Sequence, residues 1–251
     1  MAVWLAAVAQ FVVAAVWLAR RHPALVRAPR TLPATLMNGP SGLPAHFRRE
    51  QGRSAQFWLA IFLTYQLLAP ILLRLRGGDE SGRLGITLAV ALAPLTLAVA
   101  WLHGRFPTFG ALVAEGKMAE FDQLARRATL EAAAVFVMLA GAVTGVVVVL
   151  PLVAPVFAAR FLPLPSLLAL LAGAFGSLAL QAMAGWLRAF RDEQFATPIV
   201  SGAVIVIVAS AAAAARGGAT LMTLVFAIAS LGVAVPLGLA HFLRVRRRRL
   251  A

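Results

Sequence analysis

The sequence predicts an all-α integral membrane protein, and three observations carry that reading. Hydrophobic residues make up 61% of the 251 positions and charged residues only 13%. The mean hydropathy is +0.88. The apolar residues also gather into runs near 20 residues long, separated by basic loops. A soluble domain of this size needs a polar shell, and soluble chains carry about 25% charged residues. A disordered chain needs low hydrophobicity. A run of about 20 apolar residues, by contrast, crosses a hydrocarbon core of ~30 Å as a helix.

Seven runs have that length: approximately 2–19, 55–73, 84–103, 130–153, 164–187, 196–215 and 219–243. The first lacks the basic leader and small-residue cleavage site of a secretory signal, so it reads as a retained helix. Between the first two runs, Pro23, Pro29, Pro33, Pro40 and Pro44 interrupt a stretch with no sustained apolar period. That composition predicts a linker, whose arginines suit anionic headgroups at the inner leaflet. The expected organisation is a single transmembrane helix at 1–19, an Arg/Pro-rich linker at 20–54, a six-helix membrane lobe at 55–243 and a basic tail at 244–251. Pro94 and Pro236 fall inside spans, where each removes a helix hydrogen bond and favours a kink. Gly141 and Gly145 form a small-xxx-small pair that allows close helix approach.

The formal net charge is +14, and of the 23 basic residues only Lys117 is a lysine. All of them lie between the spans. One alternating set of segments holds seven in 20–53, then Arg105, Lys117, Arg126, Arg127, Arg188 and Arg191, and five in the tail from Arg244. The other set holds Arg74, Arg76, Arg83, Arg160 and Arg216. Lys and Arg accumulate in cytoplasmic loops, so the N-terminus is expected outside and the C-terminus in the cytoplasm. Topology thus accounts for the basic character, and no nucleic-acid partner is expected.

Reactive chemistry is sparse. Cysteine is absent, which removes disulfides, thiolate nucleophiles and Cys-ligated metals. His22 and His46 fall in the linker, and His103 and His241 at span ends. No HExxH and no His/Asp/Glu cluster has metal-ligand spacing. Ser177 and Ser201 have no mid-span histidine to act as base, and no Walker A or dinucleotide glycine loop occurs. The expectation is therefore a protein that is not an enzyme and needs no cofactor. Among the few polar residues within spans are Thr64, Tyr65, Gln66, Glu131, Ser177 and Gln181. Such groups cost free energy in hydrocarbon unless they face a partner or a wet cavity. Tyr65, Gln66 and Gln181 either line a passage for a polar headgroup or sugar, or make interhelical hydrogen bonds worth about 0.6 kcal/mol each. Glu131, beside Arg126 and Arg127, reads as a local ion pair at a helix start.

The stretch Trp101-Leu-His-Gly-Arg105-Phe-Pro107-Thr-Phe109-Gly110, continued by Glu120-Phe-Asp122-Gln-Leu124-Ala-Arg126-Arg127, resembles a membrane-to-cytoplasm crossing of polysaccharide flippases. These belong to the superfamily of multidrug, oligosaccharidyl-lipid and polysaccharide exporters. In them a helix ends near a tryptophan, a basic-x-Pro turn follows, and an interfacial helix leads into the next span. Upstream, Gly77-Gly-Asp79-Glu80-Ser-Gly82-Arg-Leu-Gly85 is similar to the glycine-rich hairpin that joins the first two helices of the family's second lobe. The resemblance covers roughly 55–243. It implies a six-helix lobe that pairs with a similar lobe and alternates access, so that this chain would need a second lobe or a second copy.

What this implies for function is a transporter, or half-transporter, that moves a lipid-linked oligosaccharide or another amphiphile across the bacterial inner membrane. The substrate-binding residues expected are Tyr65, Gln66 and Gln181 along the passage, with Arg105 and Arg188 at a basic cytoplasmic rim that attracts phosphate. The rival expectation is a non-transporting anchor or scaffold subunit of a polysaccharide-assembly complex, with its Arg-rich linker and tail as docking surfaces.

Overall fold

A computed structural model of the protein describes residues 45–190 and 195–250. The expected helix at 2–19 and most of the linker lie outside the described residues. One compact unit runs from Gln51 to the C-terminus. Among the described residues the structure is helical throughout, with no strand. Five helical runs are long and apolar enough to cross a membrane by length and composition: Gln51–Arg76, Gly78–Ala114, Met118–Val153, Leu164–Ala189 and Ala196–Arg248.

Helix α1 (Ala45–Gln66) begins directly after Pro44. The last residues assigned to the linker are thus helical, because the prolines stop there and Arg, Glu, Gln and Ala follow, all good helix formers. α1 passes into α2 (Leu68–Arg76) with a break at Leu67. Pro70, three residues on, has no N–H to offer the Gln66 carbonyl. Gly77 then turns the chain at φ +92° into α3 (Gly78–His103). That φ is open to glycine without a Cβ penalty. Across the turn the Ser81 hydroxyl donates to the carbonyl of Ala69 at 2.9 Å, so α2 and α3 form an antiparallel hairpin.

After a turn at Gly104–Arg105, the short α4 (Phe106–Ala114) leads to α5 (Met118–Val153). The expected span at 130–153 is therefore the inner part of a longer helix whose first three turns carry Glu120, Asp122, Arg126 and Arg127. A short turn, α6 (Pro155–Ala158), precedes α7 (Leu164–Ala189). Lys117, between the runs, is held by the Glu115 carboxylate at 2.8 Å. This hydrogen bond, with the charges of Glu115 and Glu120, raises its pKa.

The last run, of 53 residues, joins the two helices expected at 196–215 and 219–243. It is not straight. α8 (Ala196–Ala229) leaves helical geometry at Gly217 and at Gly218, which has φ +66° and ψ −156°. A Cβ on Gly202 would sit 3.1 Å from the Ala234 backbone. Those two residues lie 16 positions either side of Gly218, so the chain folds back there into a second hairpin. A π-helical turn at Ser230–Ala234 follows, then α9 (Val235–Leu250). Pro236, expected to distort its span, stands just after that turn. Its missing N–H is accommodated by the wider i→i+5 winding.

The two hairpins lock together. Arg76 donates from Nε to the Ala214 carbonyl at 3.0 Å and from Nη2 to the Ala215 carbonyl at 2.9 Å. Glu80 Oε2 accepts from the Ala219 N–H at 3.1 Å. A cation thus meets the last free carbonyls of one helix, and an anion meets the first free N–H groups of the next, as the helix dipole favours. At the same end, Arg83 donates to the Phe161 carbonyl at 2.9 Å, and Thr87 accepts from the Leu162 N–H. Arg76→Ala should therefore cost about 1 kcal/mol in a thermal-melt comparison. An unchanged melting temperature would mean that the clamp contributes nothing.

α7 is the central helix, packed on α3, α4, α5, α8 and α9. Its small residues explain why: Gly173 meets Phe226, Gly176 meets Leu231 and Val235, and Gly185 meets Phe106. Of the most apolar window of α7, 61% is buried, against 6% for α5. α5 is therefore peripheral, and its Gly141 and Gly145 have no neighbour within contact range among the described residues.

Candidate functional site

The end of the unit opposite the hairpins gathers α4, the start of α5 and the ends of α7 and α9 around aromatic rings. Phe121 packs on Phe109 (5.7 Å), Trp186 (5.6 Å) and Phe190 (5.3 Å), and Trp186 packs on Phe242 (5.2 Å). Offset and edge-on aromatic pairs of this kind fix helix ends against one another. The segments 104–129, 186–190 and 241–246 thus meet at one end, while 76–83, 158–163 and 214–219 meet at the other. This is the same division that the basic residues follow along the chain.

Beside the aromatic cluster lies an open cavity of about 1020 Å³ between α5, α7 and α9. Its mouth carries Asp122, Arg126, Arg127, Glu131 and Arg246, and its floor Leu130, Ala179, Ala182, Met183, Leu239 and Phe242. The volume stands at the upper end of ordinary ligand sites, about 300–1,000 Å³. α7 and α9 contribute in the same way, whereas on α5 the Glu131 carboxylate follows directly after Leu130. Along α7, Trp186 is seven residues from Ala179, and along α9, Arg246 is seven residues from Leu239. At 1.5 Å per residue the polar rim and apolar floor are about 10 Å apart.

The charges of the mouth are ordered. Asp122 Oδ1 accepts from the Trp186 indole N–H at 3.2 Å, and Oδ2 from Arg246 Nη2 at 3.3 Å. The Nε–H of Arg246 is buried without an acceptor among the described residues. Glu131 is the more heavily engaged acid. It takes Arg127 Nε at 2.8 Å and the Trp101 indole N–H at 3.2 Å, with Arg105 Nη2 at 3.7 Å. The local ion pair expected at Glu131 is present, made with Arg127 four residues earlier and with Arg105 across the turn. Arg126 is exposed and has no acceptor among the described residues.

Placement of the five residues expected at the substrate path is varied. Tyr65 is buried, its hydroxyl 2.6 Å from that of Ser177 and its ring 5.5 Å from Phe226. Gln181 is buried in α7, with its side-chain carbonyl lacking a donor among the described residues. Gln66 is exposed at the end of α1. Arg105 lies over the Trp101 ring at 5.9 Å, in reach of Glu131. Arg188 stacks on Phe57 at 4.6 Å and Trp58 at 5.1 Å. It also lines a second cavity, of about 760 Å³, with Phe106, Gly110, Val113 and Phe190. The α5/α7/α9 cavity is lined by none of the five.

Of the residues that do line it, Asp122, Arg126 and Arg246 stand out in the sequence only as parts of a longer motif or of the basic segments, and Trp186 does not stand out at all. The signal available is a lone aspartate on a helix face beside two arginines. Its partner lies 124 residues away, beyond the reach of any local pattern.

Family models, curated proteins and solved structures were all compared with the chain, and none matches it. The chemistry of the cavity is therefore what bears on function. No group of three or more His, Asp or Glu able to hold a metal occurs among the described residues. What the cavity offers is a cationic mouth over an apolar floor, an arrangement that matches an anionic amphiphile.

Proposed function

We propose that this protein is a multi-pass inner-membrane protein whose lobe at 55–243 forms part of a carrier for a lipid-linked oligosaccharide precursor or a similar phosphate-headed amphiphile. In this reading the two hairpins divide the described helices into six spans, with a seventh at 2–19. The N-terminus is outside, and the cavity end faces the cytoplasm. The observation that carries it is the cavity between α5, α7 and α9, which joins guanidinium groups at the helix ends to an apolar floor about 10 Å further in. A headgroup seated at the mouth would leave its hydrocarbon at the depth of the acyl chains. The grouping of segments at the two ends of the unit supports the alternating topology, and the basic charge at the cavity end supports its cytoplasmic placement. One lobe encloses no path, so transport would use a second lobe or a second copy.

The test is a flipping assay. Vesicles containing the purified protein and a fluorescent lipid-linked oligosaccharide are exposed to an impermeant quencher. Protein-containing vesicles should lose inner-leaflet fluorescence faster than protein-free ones. Equal rates with folded, reconstituted protein would overturn transport by this chain or by copies of it and favour the non-transporting scaffold.

A further inference from the structure

We propose that the α5/α7/α9 cavity selects a lipid whose headgroup is a single phosphodiester bearing hydroxyl groups, and that Asp122 is the residue that limits the ligand to one negative charge. This rests on reading the cavity as an amphiphile site, and goes beyond it in naming the headgroup chemistry and the residue that sets it.

The balance of donors and acceptors at the mouth sets the charge that it can take. Of the three guanidinium groups at the mouth, Arg127 pairs with Glu131 and Arg246 with Asp122. That leaves Arg126 as the one without an acidic partner among the described residues, while the Nε–H of Arg246 also has no acceptor there. A phosphate oxygen suits both, because guanidinium N–H groups bind phosphate through charge-assisted hydrogen bonds. The Arg246 Nε–H has no acceptor among the described residues, and its side chain is 43% exposed, so the guanidinium is within reach of a ligand entering the open mouth. Asp122 stands beside the same guanidinium, at 3.3 Å from Nη2. Its charge is fixed in place by the Trp186 indole. A phosphodiester carries one negative charge and meets the two donors without crowding that carboxylate. A pyrophosphate brings a second or third charge close to Asp122, where like charges at the edge of an apolar cavity repel strongly.

The rest of the mouth fits a hydroxylated headgroup. An ionised carboxylate is acceptor-only with about four lone-pair sites. Asp122 uses one site on each oxygen, which leaves capacity for ligand O–H donors. Gln123 also lines the mouth and offers both donor and acceptor groups, while Thr129, whose hydroxyl donates to the Ala125 carbonyl at 2.8 Å, offers an acceptor. A choline-type headgroup has no hydroxyl to donate, whereas a glycerol or a sugar does.

Two lipid sources share this chemistry, a glycerophospholipid such as phosphatidylglycerol and a sugar joined to a polyprenyl chain by one phosphate. The test uses the full chain in detergent and the fluorescence of Trp186, which forms part of the cavity wall. Phosphatidylglycerol with brominated chains should quench a component that is absent in Trp186→Phe. Polyprenyl-phosphate sugar should displace it, and whichever diester binds tighter identifies the source. Polyprenyl pyrophosphate should compete about tenfold less well. Asp122→Asn keeps a carbonyl for the Trp186 N–H, removes the charge, and should close that tenfold gap. Arg126→Gln, at an exposed position, should weaken every anionic ligand by about tenfold, the worth of one charge-assisted hydrogen bond.

Equal or better competition by pyrophosphate in the unaltered protein overturns the proposal, as does a gap that Asp122→Asn leaves unchanged. Failure of the underlying amphiphile reading looks different. Neither brominated lipid would then quench the Trp186 component, and Arg126→Gln would alter nothing, whereas equal quenching by brominated phosphatidylglycerol and phosphatidylcholine overturns the hydroxyl requirement proposed here.

Discussion

Gly218→Ala is expected to lower stability by about 3 kcal/mol, as backbone strain together with the loss of a part-buried hydrogen bond. At φ +66° and ψ −156°, Gly218 occupies a region that L-residues essentially do not enter. The new Cβ would also stand 2.8 Å from Glu80 Oε2, the same oxygen that accepts from the Ala219 N–H. The substitution therefore strains the second hairpin and pushes away the carboxylate that ties it to the first. Gly78→Ala is the control. Its φ is not positive and nothing lies within 4 Å of its Cβ, so alanine there should be neutral or favourable by up to about 1 kcal/mol, because it begins a helix. Thermal unfolding of the two variants in detergent separates them. Matching midpoints would mean that the reversal at Gly218 is not a fixed part of the fold.

That hairpin shows which features a sequence discloses. Arg216-Gly217-Gly218 interrupts an alanine- and valine-rich stretch, and the break between the expected helices 196–215 and 219–243 falls there because glycine pairs disrupt helices locally. Gly77 is legible for the same reason. The exclusively helical class and the lengths of the runs follow from hydropathy, which depends only on neighbouring residues. The polar start of α5 is harder to place. An apolar window stops where the apolar residues stop, whereas the helix continues outward to Met118 through Glu, Gln, Ala and Arg, all good helix formers.

The candidate site is legible in kind but not in membership. Basic residues at one end and polar residues within spans can be counted, and Arg105, Arg188, Tyr65, Gln66 and Gln181 stand out on that basis. The pairing of Asp122 with Arg246, or of Tyr65 with Ser177 at a separation of 112 residues, depends on which helix faces pack together. One-dimensional periodicity on a helix that is apolar all round does not say which face meets which neighbour. Tyr65 illustrates the consequence, since its hydroxyl is held by Ser177 inside the lobe. The same packing leaves the guanidinium groups of α5 and α9 around a common space.

The helix faces meet most closely at Gly173, and a size swap there should expose how tightly the centre of the lobe is built. The Phe226 ring, fully buried, lies where a Gly173 Cβ would be, and its other face packs edge-on against Tyr65 at 5.5 Å. Phe226→Ala should cost about 3–5 kcal/mol, as for other buried aromatic truncations. Gly173→Ala should cost about 1–3 kcal/mol, because a ring with no exposed edge has nowhere to turn. The two losses should not add. In Gly173→Ala/Phe226→Leu the shorter side chain vacates the space that the new methyl needs, so the double variant should be more stable than the sum of Gly173→Ala and Phe226→Leu by at least about 1 kcal/mol. Gly141→Ala, on the open face of α5, provides the contrast and should change stability by less than about 0.5 kcal/mol apart from the helix-propensity gain. Strict additivity of the Gly173 and Phe226 changes would show that α7 and α8 do not touch there, and would remove the close approach on which the central position of α7 depends.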